Sequence, residues 1–256
     1  VEPYLWDAAS EFPRAALEGA DAVIHLAGEP IAQRWTPAVK KALAVSRVDS
    51  TKLLVQALSA LEKRPPILLS GSAIGFYGDR ADEELDEGSA PGSGFLPELC
   101  REWENQANLA RALGMRVNLL RTGIVLDPQG GALAQMLPPF RWGAGGKLGS
   151  GKQWMSWIHI ADWVGAVLHL LAKDGESGPV NLTGPVPARN ERFTEVLGKV
   201  LQRPALLPVP KFALELLFGE MAQIVLGSQQ VLPRFLLRHG YEFRHPQLEG
   251  ALRDLL

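Results

Sequence analysis

The sequence predicts an α/β fold: a doubly wound, mostly parallel sheet with helices on both faces and a smaller, mostly helical C-terminal lobe. Three observations predict it. Short apolar runs ("DAVIHLAG", "PPILLS", "MRVNLLRTGIVL" and "GPVNLTGP") alternate with long stretches of helical periodicity. These runs are apolar at nearly every position, as strands are when helices cover both faces of a sheet. Residues 206–256 read as helix after a proline-rich turn.

Val23, Ile24 and Leu26 form the first apolar strand, closed by Ala27-Gly28. A helix over Trp35 to Leu61 follows. Thr36 is placed to cap it and Pro37 to fill its first turn. Val39, Leu43, Val48, Leu54, Val55 and Leu58 then recur at helical spacing. "RPP" stops the helix and "ILLS" starts the next strand. Asp79 to Gly94 is acidic and rich in Gly, Ser and Pro, which predicts a loop. Phe95 to Leu113 is a second long helix, and "MRVNLLRTGIVL" a strand ended by the turn "DPQGG". Ala132 to Phe140 is helical, "WGAGGKLGSGKQW" a glycine-rich loop and "MSWIHI" a short strand. The helix Ala161 to Ala172 begins near the favourable charge of Asp162. "GPVNLTGP" is a strand and turn, and Phe193 to Leu201 a helix.

At 256 residues the chain suffices for one large domain, or a main domain with a smaller lobe. A hydrophobic fraction of 46% supports a sizeable core. The net charge of −2 supplies no basic excess, so neither nucleic acid nor an anionic membrane is an expected partner. The longest apolar window, "LLPVPKFALELLFGEMAQIVLG", is broken by prolines, Lys211, Glu215 and Glu220, so no membrane span is expected. The lone Cys100 excludes an internal disulfide and fits a reducing, cytoplasmic compartment. No metal-ligand spacing stands out.

In open parallel sheets, ligands bind in the crevice at the carboxyl ends of the strands. Here those ends read "HLAG", "LSGSAIGFYG", "RTGIV" and "NLTGP", and all finish in small residues. Small residues let a flat ligand lie on the backbone, although glycine also serves simple turns. With "WIHIADW", these stretches resemble, in order, motifs of the extended short-chain dehydrogenase/reductase superfamily. "GEPIAQRW", "SRVDST", "GSGKQWMSWIHI" and "VLPRFLLRHGYEF" resemble one branch of it, epimerase-family proteins of unassigned substrate.

The resemblance implies a Rossmann-type sheet that binds NADP or NAD across the strand ends. Residues 1–127 plus 157–185 would bind the dinucleotide, and 128–156 plus 186–256 would form the substrate lobe. Leu26, Ala27 and Gly28 match the adenosine and phosphate side. Arg47 could fork onto a phosphate or ribose, or pair with a surface carboxylate. Ser70 and Gly71 match the strand end beside the nicotinamide ribose. Arg121, Thr122, Gly123 and Val125 match the strand end whose backbone faces the nicotinamide. Ser72 matches the catalytic Ser/Thr that orients the substrate oxygen. Glu29, Trp154 and Trp157 are candidate substrate contacts, with lobe packing as the other reading of the tryptophans. His159 reads as structural, bonding a nearby backbone group.

Three departures qualify the resemblance. The helix that carries Tyr-x-x-x-Lys in the superfamily has Leu96 and Cys100 at those positions. Tyr77 is a substitute acid or a packing tyrosine, and Cys100 a reactive thiol or a buried filler. Where nucleotide-sugar members carry a diphosphate-gripping arginine, Met155 stands between Trp154 and Trp157. The glycine-rich first turn is not in the sequence, which begins at Val1 and reads as a partial chain. The expectation is an NAD(P)-binding oxidoreductase or epimerase acting on a small carbonyl, alcohol or sugar-like substrate. The alternatives are a catalytically silent NAD(P)-binding sensor or interaction module, and a structural subunit. A homodimer through helices 36–62 and 95–113 is a further expectation, with Leu99, Trp103, Leu109 and Leu113 as its apolar stripe.

Overall fold

The strand β1 (Val23–His25) leads into α1 (Pro37–Ala44), a wide π turn (Val45–Asp49) and α2 (Ser50–Ser59) in the computed structural model. The structure describes residues 3–7, 10–173 and 175–256. Thr36 caps α1 by accepting the Val39 N–H at 3.2 Å, with Pro37 in the first turn, as its sequence predicts. The helix expected over 35–61 is interrupted at the π turn. There Ser50 Oγ donates to the Ser46 carbonyl (2.7 Å) and Thr51 Oγ1 to the Arg47 carbonyl (2.6 Å). These hydroxyls occupy carbonyls that the wider turn leaves under-bonded.

Next come β2 (Ile67–Ala73), β3 (Glu84–Leu85), α3 (Phe95–Asn108), β4 (Arg116–Thr122) and β5 (Ile124–Leu126). The loop expected at 79–94 thus contains a short strand. The second long helix tightens into a 3₁₀ turn over Leu109–Leu113 before Gly114, which adopts φ 82°. The single strand expected over "MRVNLLRTGIVL" is two strands in different sheets. Gly123 is the pivot: a Cβ there would lie 2.4 Å from the Ser156 carbonyl oxygen, so only glycine lets the two backbones meet.

The chain continues with α4 (Gly131–Arg141), β6 (Trp154–Met155), β7 (Trp157–His159), α5 (Ile160–Ala172), β8 (Gly178–Leu182) and β9 (Ala188–Arg189). It ends with α6 (Asn190–Leu201), α7 (Lys211–Phe218), α8 (Ala222–Leu226), β10 (Gln230–Val231), α9 (Arg234–Arg238) and α10 (Leu248–Leu255). His159, not Asp162, caps α5: its Nδ1 accepts the Ala161 N–H at 3.0 Å. The Asp162 carboxylate instead accepts the backbone N–H groups of Arg244 (2.7 Å) and His245 (2.9 Å).

The central sheet is parallel throughout, in the order β1-β2-β4-β8. Leu68, Val117 and Leu119 pack on one face against Leu54, Leu58 and Ala107. Leu69, Leu120 and Val180 pack on the other against Val167, Leu170 and Phe235. This double cover explains why the strands are apolar at successive positions. A further cluster joins Leu126 and Trp157 to Leu133, Phe140, Phe193 and Leu252. Small two-stranded sheets, β5 with β7, β6 with β9 and β3 with β10, tie the C-terminal segments to the main sheet's ends. Among the described residues, no helix is long and apolar enough to cross a membrane.

The expected apolar dimer stripe does not form one exposed face. Leu99 and Trp103 are buried and Leu113 packs on the core, leaving Leu109 exposed. Trp103 and Leu113 pack toward the sheet, the alternative that helical spacing alone leaves open, while Leu99 packs with Trp35, Leu43 and Met221.

His25, on β1, is buried with Nε2 3.3 Å from Ser50 Oγ, and burial lowers its pKa from 6.5 to about 4. The unfolded chain therefore takes up a proton near pH 6.5 that the folded ring refuses until about pH 4. The stability this contributes is present above pH 6.5 and falls as the pH drops toward 4, by up to about 3 kcal/mol. Urea unfolding at a series of pH values should show this loss, and His25→Gln should lack it. An identical acid profile in the variant rules the histidine out as the source.

Candidate functional site

A cavity of about 950 Å³ opens at the carboxyl ends of β2 and β4. Ser72, Ala73, Thr122 and Gly123 line it from the strand ends, and Leu96, Cys100 and Trp103 from α3. Met136 of α4, Trp154 of β6, Lys211 of α7 and Gln223 of α8 complete its walls, and Arg47 also borders it. This is where a parallel sheet places its ligands.

Behind Ser72 lies a buried polar network that follows from strand register. Ser72 pairs with Arg121 across β2 and β4, and Arg121 with Asn181 across β4 and β8. Glu104 of α3 receives Ser72 Oγ at 2.7 Å and both Nε and Nη2 of Arg121 at 2.8 and 2.9 Å. Arg121 Nη1 donates to the Tyr77 hydroxyl (3.0 Å), which donates to Asn181 Oδ1 (2.7 Å). The guanidinium also lies 3.5 Å from the centre of the Phe76 ring. Burial opposes the charge on Arg121, but the Glu104 carboxylate outweighs it and raises the pKa above the ordinary arginine value.

Tyr77 belongs to this network rather than to the cavity wall. It is fully buried, and burial pushes its pKa up to about 12. With its hydroxyl committed to Asn181 and Arg121, it is a packing tyrosine, which corrects its candidacy as substitute acid. Arg121 likewise spends its side chain on Glu104, so only its backbone serves the strand end.

The small strand-end residues have internal causes. A Cβ on Gly71 would fall 2.7 Å from the Trp103 ring, and one on Gly28 3.1 Å from the Arg47 guanidinium. Gly71 is thus small because an indole lies on it; Trp103 is fixed there by its Nε1 bond to Thr51 (2.9 Å). Ser70 is fully buried and Val125 half-buried against the core, so neither borders the cavity. Leu26 is 51% exposed, Ala27 half-buried, and Gly28 and Glu29 exposed beside Arg47. Trp154 does line the cavity, with Arg189 stacked at 4.5 Å and Nε1 bonded to Asp82 (3.1 Å). Trp157 is fully buried in the core, which corrects its reading as a substrate contact.

Glu104 and Asn181 are the polar residues that motif reading passed over as site members. Their partners lie 32 and 104 positions away: strand register reveals Asn181, and the packing of α3 on the sheet reveals Glu104. Cys100 lines the cavity beside Leu96, but burial and then Glu104 push its thiol pKa up to about 12, leaving it protonated and unreactive at neutral pH. His159, His245 and Asp254 lie close enough to share an ion. However, Nδ1 of His159 accepts the Ala161 N–H, which leaves the neutral ring's proton on Nε2, where a metal would need a lone pair.

Arg47 tests whether a nicotinamide dinucleotide fits. Its Nη2 donates to the Glu29 carbonyl (2.8 Å) and Nη1 contacts Ser46 Oγ (3.3 Å), and among the described residues it forms no ion pair. Burial lowers its pKa from the ordinary value, and the charges nearby, Glu29 among them, only partly oppose that shift. A guanidinium without an ion pair among the described residues, on the cavity that also holds Ser72, suits a phosphate-bearing ligand, so the residues fit the group.

Comparison with known proteins agrees. The model of the NAD dependent epimerase/dehydratase family matches residues 7–183, and that of a domain of unknown function, DUF1731, matches 209–255. The chloroplastic epimerase family protein SDR39U1 homolog of Arabidopsis thaliana is 44% identical, over 94% of this chain and 70% of its own length. The crystal structure of human epimerase family protein SDR39U1 with NADPH superposes with a TM-score of 0.90 at 35% identity, covering 97% of this chain and 84% of that one. The nucleoside-diphosphate sugar epimerase of Corynebacterium glutamicum superposes at 0.80 with 33% identity, covering 100% of this chain and 51% of that one. With its parallel Rossmann-type sheet and its strand-end cavity, the chain belongs to the NAD-dependent epimerase/dehydratase family.

Proposed function

We propose that the chain binds NADP(H) in the strand-end cavity and acts as an oxidoreductase or epimerase on a small alcohol or carbonyl compound. The observation that carries this reading is one continuous cavity bordered by both Arg47 and Ser72. The human relative with NADPH favours the phosphorylated cofactor. Residues 1–127 plus 157–185 would hold the dinucleotide, and 128–156 plus 186–256 the substrate.

When bound, the nicotinamide supplies or accepts hydride. Ser72 orients the substrate oxygen. A carboxylate only accepts, so the Ser72 proton points at Glu104 and the hydroxyl turns its lone pairs to the cavity. In this state Ser72 receives an O–H, which suits an alcohol. Glu104 and Arg121 are positioning residues that hold Ser72 in place.

A second reading is a dinucleotide-binding sensor without turnover. It draws on Leu96, which cannot move a proton, and Cys100, whose thiol stays neutral.

Titration of the intact protein with NADPH and NADH, read by nicotinamide emission and tryptophan quenching, tests both readings. Saturable binding is expected, and Arg47→Ala should weaken it by about 10-fold or more, the worth of one charged hydrogen bond. An unchanged Kd removes Arg47 from the site. Turnover of an alcohol and carbonyl panel, lowered in Ser72→Ala, distinguishes the enzyme from the sensor. Failure of both reduced and oxidised dinucleotides to bind ends both readings.

A further inference from the structure

We propose that the substrate part of the cavity takes a flat, uncharged, apolar alcohol or carbonyl compound, and excludes nucleoside diphosphate sugars. This rests on the reading of the cavity as a dinucleotide site, with Arg47 committed to the cofactor.

Charge is the first argument. Apart from Arg47, the one lysine or arginine among the described lining residues is Lys211, and it already pairs with Glu215 at 3.5 Å. Three carboxylates line the same space; Glu215 is taken by Lys211 and Glu220 by Lys40, which leaves Asp79. Arg189, next to Trp154, is held by Asp82 at 3.0 Å. A diphosphate entering here would shed its water, meet the Asp79 carboxylate and find no unpaired cation beyond Arg47.

Hydrogen bonding is the second. Sugar hydroxyls need donors and acceptors that are still available. The amide of Gln153 donates to the carbonyls of Leu148 (3.0 Å) and Val225 (3.1 Å). That of Gln229 donates to the carbonyls of Ile74 and Gly78, both at 2.9 Å. Asn190 accepts the Leu148 N–H (2.8 Å) and turns its amide to Met155 Sδ (3.3 Å). Ser156 Oγ donates to the Gln229 carbonyl (2.8 Å) and accepts the Val231 N–H (2.8 Å). These polar side chains brace the walls rather than offering themselves to a ligand.

Surface character is the third. Ile124, Met136, Trp154, Met155, Ile224 and Leu226 line much of the rest, alongside Gln223, Ser93, Ser150 and Thr122. Two thioethers and an indole make an adaptable apolar surface suited to a planar guest. Ser72 Oγ, its proton held by Glu104, supplies the oriented acceptor that a single substrate hydroxyl needs.

The test uses intact protein saturated with NADPH, whose binding is measured first. Calorimetry then compares 2-naphthaldehyde with UDP-glucose and UDP-glucuronic acid, and, with NADP⁺ bound, 2-naphthalenemethanol. The naphthyl compounds are expected to bind at least about 100-fold more tightly than either UDP-sugar. Ile224→Arg, at a part-exposed wall position that tolerates the longer side chain, should improve UDP-glucose binding about 10-fold and weaken 2-naphthaldehyde. Equal or tighter binding of a UDP-sugar to the unaltered protein overturns the proposal. So does failure of the naphthyl compounds to bind to cofactor-loaded protein, while leaving the cofactor reading intact. Failure of NADPH itself to bind overturns the cofactor reading, and the proposal with it.

Discussion

Glu104→Gln is expected to destabilise the fold by about 3–5 kcal/mol, the usual cost of removing one partner from a buried ion pair. The substitution preserves shape and removes charge. Arg121 is 4% exposed, and Glu104 gives it two of its hydrogen bonds and its counter-charge. Without that carboxylate the guanidinium keeps the Phe76 ring and the Tyr77 hydroxyl, which cannot neutralise it. Ser72→Ala removes only a hydrogen bond to a charged group and should cost about 1.5–3 kcal/mol, leaving the ion pair intact. Replacing both charges, Glu104→Leu with Arg121→Met, should recover much of the loss, because no charge is then left buried. Urea unfolding at neutral pH with unchanged m values measures all three. A loss below about 1 kcal/mol for Glu104→Gln would show that water reaches Arg121 and that the network is not the dry clamp behind Ser72.

The readable parts of this chain are those fixed by local chemistry. The apolar runs of β2, β4 and β8 and the Thr36-Pro37 start of α1 follow from residues adjacent in sequence. What local reading misses depends on contacts between distant segments. "MRVNLLRTGIVL" reads as strand on both sides of Gly123, so local pattern does not announce two sheets; the break comes from Ser156, whose carbonyl meets the Gly123 backbone. Glycines at strand ends look like ligand space, yet Gly71 is vacant of a side chain because Trp103 of α3 fills that volume. The polar network is legible only once β2, β4 and β8 are in register, because register sets Ser72, Arg121 and Asn181 side by side. Motif order carried the family correctly, while the roles of Tyr77 and Trp157 required knowing what covers them. A buried tyrosine and a cavity tyrosine have the same sequence.

Trp157 shows how far burial decides role. Trp157→Ala is expected to cost about 3–5 kcal/mol, as large-to-small changes in a packed core do. The side chain is fully buried among the residues joining β5 and β7 to the C-terminal helices, including Leu126, Phe193 and Leu252. Backbone joins there too: the Gly184 N–H donates to the Trp157 carbonyl at 2.5 Å, so collapse around the hole would pull on the end of β8. Among the described residues the indole Nε1 has no hydrogen-bond partner. Trp157→Phe therefore removes an unsatisfied donor together with part of the ring, and should cost clearly less than alanine. Trp154, three positions earlier, is the contrast. It lines the cavity, and its ring is held by Arg189 and Asp82 at the surface. Trp154→Ala should cost no more than about 1 kcal/mol in stability but weaken binding of 2-naphthaldehyde to the cofactor-loaded protein. Trp157→Phe should leave that binding unchanged. Reversed behaviour, with ligand affinity following Trp157 and stability following Trp154, would place the substrate on the opposite side of β6 and β7 from the strand-end cavity.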